Sequence, residues 1–283
     1  MTLTNDLEIR LFAMKRSGQH AIMGWILDHT PGRRAVANNS LGREQTLLYF
    51  AEGETTSRPE PWAREVDPES SEWEHLDLYL VNCEDAQLER ESGRLARTGP
   101  WSRGRSREVI EIAVLRDPAN LFASRIQLSR SARFERDPRR RSQWWDDRAV
   151  ATYLGYCAEW EGRARALTRN RLLISFNRWT RDPDYRTRIG QQIGLHGNPA
   201  EPYASVLPAA GGSSFDGTSF DGSAEKMRIH DRWRAMLGDE RFRQLMLETP
   251  LLDEARGAFA AEPEVVKALD DCRRALHART PAR

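Results

Sequence analysis

Six consecutive residues, Lys15, Arg16, Ser17, Gly18, Gln19 and His20, are of the types that grip anions by side chain or backbone, and they sit between two apolar runs. A glycine in such a turn permits a backbone shape that aims several N–H groups at one centre. A helix beginning just after it adds unsatisfied amides and the positive end of its dipole, from Gln19 through Ala21. Ser17 contributes a hydroxyl donor, Lys15 and Arg16 contribute charge, and an arginine can hold phosphate oxygens with two parallel bonds. The residues also suit an ordinary strand-to-helix turn with Lys15 and Arg16 in solvent. The nucleotide signature G-x-x-x-x-G-K-[ST] is absent, which argues against an ATPase or GTPase. Only three of the 43 Lys and Arg residues are lysines (Lys15, Lys226 and Lys267), so Lys15 is a rare residue type here.

A second group lies in "VIEIAVLRDPANLFASR". An apolar strand ends in Arg116, and Asp117 with Pro118 opens a helix as cap and first residue. Ser124 follows about two turns along that helix. A phosphate at the strand's end is within reach of Arg116 and Ser124; a surface Arg–Asp pair with a helical serine is the plainer alternative.

These residues need elements to hold them. Apolar runs bounded by breakers predict strands at 7–13, 34–37, 76–81, 109–115 and 171–176. Helical periodicity predicts helices at 19–28, 118–128, 149–168 and 184–193, and a wholly helical segment from 224 onward. Strands alternating with helices give an α/β class, a three-layer α/β/α arrangement with a mostly parallel central sheet of about five strands, P-loop-like, with a helical C-terminal third. No repeat or clean linker divides the chain, so residues 1–283 are read as a single domain. Long polar segments at 51–74, 129–148 and 197–223 read as loops.

Composition narrows the partners. The chain has 283 residues with 39% apolar residues and a net charge of +1, which supplies no bulk attraction to nucleic acid. No apolar run is long enough to cross a membrane. The N-terminus carries no secretory pattern, so a cytoplasmic location is expected. Cys83, Cys157 and Cys272 are far apart, form no metal spacing and read as reduced, buried thiols.

Together, Arg16-Ser17-Gly18-Gln19-His20 and Arg116-Asp117-Pro118 with Ser124 resemble the two phosphate motifs of the sulfotransferases that use 3′-phosphoadenosine 5′-phosphosulfate (PAPS). The resemblance implies a 5′-phosphosulfate held by residues 15–21 and a 3′-phosphate held by Arg116 and Ser124. It implies transfer of a sulfuryl group to a hydroxyl or amine of a small-molecule or carbohydrate acceptor, with PAP (3′,5′-bisphosphoadenosine) released and no metal. "RLLISFNRWT" resembles the family's strand ending in an aromatic–acidic pair, with Phe176-Asn177 where Tyr-Glu is common. "GGSSFDGTSFDG", with Ser213 and Ser214, resembles the late loop over the nucleotide's 3′ side, with Trp233 in the helix behind it.

This chain departs from the family at Arg16, where many members have lysine, and at Gln19 and His20, where two threonines are common. Arginine keeps the charge but is a poor acid. Lys15 offers an ammonium instead, and His20 can donate to the moving group or simply fill the first helical turn. The family's base is a histidine or glutamate at a strand end, which makes Glu84 in "LYLVNCEDAQLE" the first choice, ahead of His20 and His75. Glu84 or Asp85 as an acid favoured by a helix dipole is the competing reading. Trp62, Trp73, Phe134, Trp144 and Trp145 are candidate acceptor contacts, and the arginines at 139–141 a candidate attraction for an anionic acceptor. A P-loop-like small-molecule kinase using ATP and magnesium, or a non-enzymatic nucleotide-binding module, are the alternative functions.

Overall fold

The computed structural model describes residues 3–38, 46–50, 64–65, 75–90, 105–130, 147–206 and 212–279. In chain order its main elements are β1 (Leu3–Ala13), α1 (Gln19–Asp28), β2 (Arg34–Asn38), β3 (Thr46–Phe50), β4 (Arg64–Glu65), β5 (Leu76–Glu84) and β6 (Arg105–Leu115). There follow α2 (Pro118–Ser129), α3 (Asp147–Trp160), β7 (Leu172–Ser175), α4 (Phe176–Trp179), α5 (Pro183–Gln192), α6 (Glu240–Glu248), α7 (Leu251–Ala258) and α8 (Pro263–Ala278). The chain falls into two compact units. The first comprises Met1–Val114 with Arg165–Ser205, and the second Leu115–Ala164 with Val206–Arg283.

The first unit is built on a sheet of order β4-β3-β2-β5-β1-β6-β7. Its five-stranded core is parallel, so the fold is α/β with the parallel core of the three-layer class. In the central strand β1, Leu11, Phe12 and Ala13 are buried in succession, the pattern of a strand covered on both faces. All five expected strands are present. The antiparallel edge formed by β3 and β4 was not expected, and β4 falls inside the polar segment 51–74. Trp62, Trp73, Phe134, Trp144, Trp145 and residues 139–141 lie outside the described residues.

A charged ladder joins the middle of β1 to the middle of β6. Arg10 pairs with Glu8 at 2.6 Å and reaches the fully buried Glu111 at 3.4 Å. The other oxygen of Glu111 accepts the backbone N–H groups of Thr168 and Arg169, at 2.7 and 3.0 Å. This carboxylate explains a correction to the expected helix at 149–168, which ends at Trp160. Gly162 adopts a left-handed φ of 74°, and the chain then runs irregularly to the amides that Glu111 captures.

The second unit is helical. Asp117 caps α2 by accepting from the N–H of Asn120 at 2.8 Å, with Pro118 in the first turn, as the sequence predicts. Helix α7 packs on α3, α6 and α8. The expectation of continuous helix from 224 is corrected. Residues 224–226 and 232–236 are short 3₁₀ turns, and regular helix starts at Glu240. Between the two turns the backbone serves side chains instead of a helix: Arg116 takes the carbonyl of Ile229 at 2.5 Å, and Asn120 that of His230 at 3.0 Å.

Candidate functional site

In the first unit the basic turn leaves the end of β1 and enters α1. Ser17 closes a tight turn with the Met14 carbonyl at 3.0 Å, and Arg16 takes a left-handed φ of 75°. Gly18 is the residue before the helix, with φ 92° and no side-chain cap; its carbonyl accepts the Ala21 N–H at 3.0 Å, and the amides of Gln19 and His20 precede that first bond. A Cβ on Gly18 would come 2.1 Å from Cε2 of Phe176. Phe176 is therefore a wall of the turn. It opens the single-turn helix α4 rather than ending β7, and it stacks on Trp179 with centroids 6.0 Å apart. Trp179 in turn meets Trp25 of α1 edge-on at 5.7 Å.

Glu84, at the end of β5, gathers the polar residues of the turn. Its Oε1 accepts from Gln19 Nε2 at 2.7 Å and lies 3.7 Å from His20 Nε2. Its Oε2 lies 3.8 Å from Lys15 Nζ, so Lys15 faces the strand end. Asp85, with a left-handed φ of 53°, accepts the Lys15 N–H at 3.0 Å and donates its own N–H to the Ala13 carbonyl at 2.9 Å. The Ser17 hydroxyl donates to Gln19 Oε1 at 3.3 Å. Asn38 of β2 hydrogen-bonds His20 and receives the amide of Asn82 at 2.8 Å. Burial lowers the His20 pKa against the pull of Glu84, and the Arg16 charge adds to the lowering; the Asn38 bond opposes it. The imidazole is accordingly neutral at pH 7.

His75 stands just before β5, at the end of that strand opposite Glu84, roughly 30 Å away at about 3.3 Å per residue. It is removed from the candidate bases. It lies instead beside Asp6 and Asp77, whose oxygens and the His75 nitrogen are all within 4.8 Å of one another. The sequence alone offered no ligand spacing there, because the two aspartates come from neighbouring strands. Asp77 Oδ2 already accepts the Arg33 N–H at 2.7 Å.

The second unit holds the other constellation. Arg116 and Ser124 are both buried, and Tyr153 donates its hydroxyl proton to the Arg116 carbonyl at 3.1 Å. Ser124 gives its own proton to the Asn120 carbonyl at 2.8 Å, leaving its oxygen to accept from Arg232 Nη1 at 3.0 Å. Arg232 Nη2 donates to Ser213 Oγ at 2.8 Å and lies 3.5 Å from Asp216 Oδ2. The ring of Phe215 lies 5.3 Å beneath the guanidinium. The hydroxyl of Ser214 and the Nε of Arg232 are buried without a hydrogen-bond partner among the described residues. Burial depresses the Arg232 pKa while Asp216 opposes the shift.

Arg232, Asn120 and Asp216 were not singled out from the sequence. Arg232 and Arg234 flank Trp233, and nothing in their spacing separates the buried arginine from the exposed one. Asn120 has a readable signal. It lies three residues after the capping Asp117, and its amide bonds that carboxylate at 3.0 and 3.2 Å while its oxygen accepts the Trp233 N–H at 3.3 Å.

Comparison of the chain with protein-family models, with curated proteins and with solved structures returns no match.

Proposed function

We propose that the chain is a PAPS-dependent sulfotransferase that transfers a sulfuryl group to a hydroxyl or amine of a small-molecule or carbohydrate acceptor. The observation that carries this reading is Arg232. Its guanidinium is buried, its carboxylate neighbour among the described residues, Asp216, stands at 3.5 Å, and it shares hydroxyls with Ser124 and Ser213. Taking a guanidinium out of water costs several kcal/mol unless an anion compensates it. Two buried arginines, Arg116 and Arg232, with two serine hydroxyls that turn to a ligand from Asn120 and Asp216, are the donor set that a phosphate monoester needs.

The first unit offers a donor set of its own, the basic turn, which suits a 5′-phosphosulfate. When bound, PAPS supplies an activated sulfuryl group and a bisphosphate leaving group. Arg16, Ser17 and the first amides of α1 bind and orient the 5′ end; Arg16 and Lys15 supply positive charge where the leaving oxygen develops negative charge. His20 is neutral and free to take the acceptor's proton, with Glu84 behind it to hold the imidazole and stabilise its charged form. Glu84, the first choice from sequence, thus becomes the positioning group. Arg116, Ser124, Arg232 and Ser213 hold the 3′-phosphate and set the register.

The test is a thermal-shift titration with PAP, with ATP plus magnesium, and with single-stranded oligonucleotides. Saturable stabilisation by PAP alone is expected, worth about 2.7 kcal/mol at a hundredfold excess over Kd. Stabilisation by ATP and magnesium instead would favour the kinase, and no response to PAP would end the sulfotransferase reading. Labelled PAPS offered with a panel of hydroxyl and amine acceptors then identifies the substrate.

A further inference from the structure

The segment "SFDGTSFDG" contains the same four residues twice, Ser214-Phe215-Asp216-Gly217 and Ser219-Phe220-Asp221-Gly222. Both copies fold as turns ending in a left-handed glycine, with φ 57° at Gly217 and 77° at Gly222. Their aspartates do different work. Asp221 Oδ1 accepts the backbone N–H of Val206 at 2.8 Å and has a structural task. Asp216 Oδ2 instead accepts the Ser213 hydroxyl at 2.8 Å and stands 3.5 Å from Arg232. Ser213 is the hub of the first turn: its oxygen also accepts the N–H of Asp216 at 3.1 Å, and its backbone exchanges two hydrogen bonds with Gly217, at 2.8 and 3.0 Å.

We infer that Asp216 is a built-in anion latch: its carboxylate occupies the Arg232–Ser213 donors in the ligand-free protein and must be displaced when a phosphate takes them. The inference rests on reading Arg232, Ser124 and Ser213 as an anion site. A carboxylate and a phosphate dianion cannot share one guanidinium at contact distance without strong repulsion. The side chain is partly exposed, 27%, so water can receive it when it leaves. The turn that carries it is bounded by Gly212 and Gly217, both at positive φ, which lets the turn change shape without a Cβ penalty. Arg116 is secured independently by the Ile229 carbonyl, so the latch acts on one arginine of the pair. A latch of this kind keeps a buried cation neutralised between ligands and ties ligand affinity to the charge of one side chain.

The experiment is calorimetric titration of the full chain with PAP and, separately, with inorganic phosphate, for the wild type, Asp216→Asn and Asp221→Asn. A latch closed nine-tenths of the time weakens apparent affinity about tenfold, so Asp216→Asn should bind PAP about tenfold more tightly. Asp221→Asn should bind as the wild type does. Ligand-free Asp216→Asn should melt at a lower temperature than the wild type, opposite to its gain in affinity, because Arg232 loses its counter-charge. Asp216→Ala, which also removes the acceptor for Ser213, should tighten binding in the same direction. PAP binding by the wild type that is unchanged or weakened in both Asp216 variants overturns the latch and leaves the nucleotide reading intact. Phosphate binding that tightens in Asp216→Asn without any response to PAP keeps the latch and overturns the nucleotide. Absence of binding to either ligand overturns both.

Discussion

The ring of Phe176 lies so close over Gly18 that a methyl group on that glycine would come 2.1 Å from Cε2 of the ring. The backbone of Gly18 is also left-handed, at φ 92°. Two separate penalties therefore act on Gly18→Ala, roughly 1–2 kcal/mol for the conformation and roughly 1–3 kcal/mol for overpacking. Urea denaturation should show a loss of about 2–5 kcal/mol. In the double variant with Phe176→Ala the overpacking part disappears, so the combined loss should fall short of the sum of the single losses. Additivity of the two would mean that the ring does not press on the turn.

Arg232 ties Ser124 to Ser213, and its contribution should depend on the shape of the guanidinium as well as its charge. Arg232→Lys keeps the charge but cannot donate to both serines in the same fork. PAP affinity should fall at least tenfold, or about 1.4 kcal/mol. Arg232→Ala should lose more, and Ser124→Ala less, about 0.5–1.5 kcal/mol for one hydrogen bond. Arg234, whose side chain is 59% exposed, serves as the control and should change binding little when replaced by alanine. Equal losses for Arg232 and Arg234 would point to general charge attraction.

What the sequence made legible follows from how far apart the cooperating residues lie along the chain. Of the five parallel strands β1, β5 and β6 are long runs and β2 and β7 short apolar ones between breakers, and the Asp117 cap and the Arg116–Ser124 spacing sit inside one continuous segment, so periodicity and cap chemistry suffice to find them. The bond from Arg232 to Ser124 joins residues 108 positions apart, and no local pattern specifies it. The same holds for Gln19 and Glu84, 65 positions apart, whose hydrogen bond no local pattern specifies either. The misjudged end of α3 has a similar cause: the amides of Thr168 and Arg169 are captured by Glu111, an acid on a distant strand whose burial only the fold reveals. Strands β3 and β4 are short and antiparallel, and the edge strand β4 has two residues, too few for any period to register.

The three cysteines are all buried and none is in a disulfide. Burial pushes the thiols of Cys157 and Cys272 up to about 12, so at neutral pH almost no thiolate forms at either. A thiol-specific disulfide reagent should therefore titrate none of the three in the native protein and all three in strong denaturant. Rapid native reaction of even one would show local opening around it. No oxidative inactivation through disulfide formation is expected under native conditions.

His20 makes the pH dependence specific. Its folded pKa is lowered from 6.5 by burial and the Arg16 charge, so protonation favours the unfolded chain. Its contribution to stability is present above about pH 6.5 and is lost as pH falls below that value. Turnover should share an acid limb below pH 6.5, where the imidazole can no longer accept a proton. Glu84 opposes the lowering, so Glu84→Gln, which retains an acceptor for Gln19, should shift both the acid limb and the His20 titration to still lower pH. It should also reduce turnover while leaving PAP affinity within about threefold, a change of roughly 0.65 kcal/mol. Nuclear magnetic resonance titration of the imidazole reads the shift independently of activity. A limb that stays in place in Glu84→Gln, or moves toward neutral pH, would separate His20 from Glu84, whereas loss of turnover with loss of the limb would return the carboxylate to the role of base.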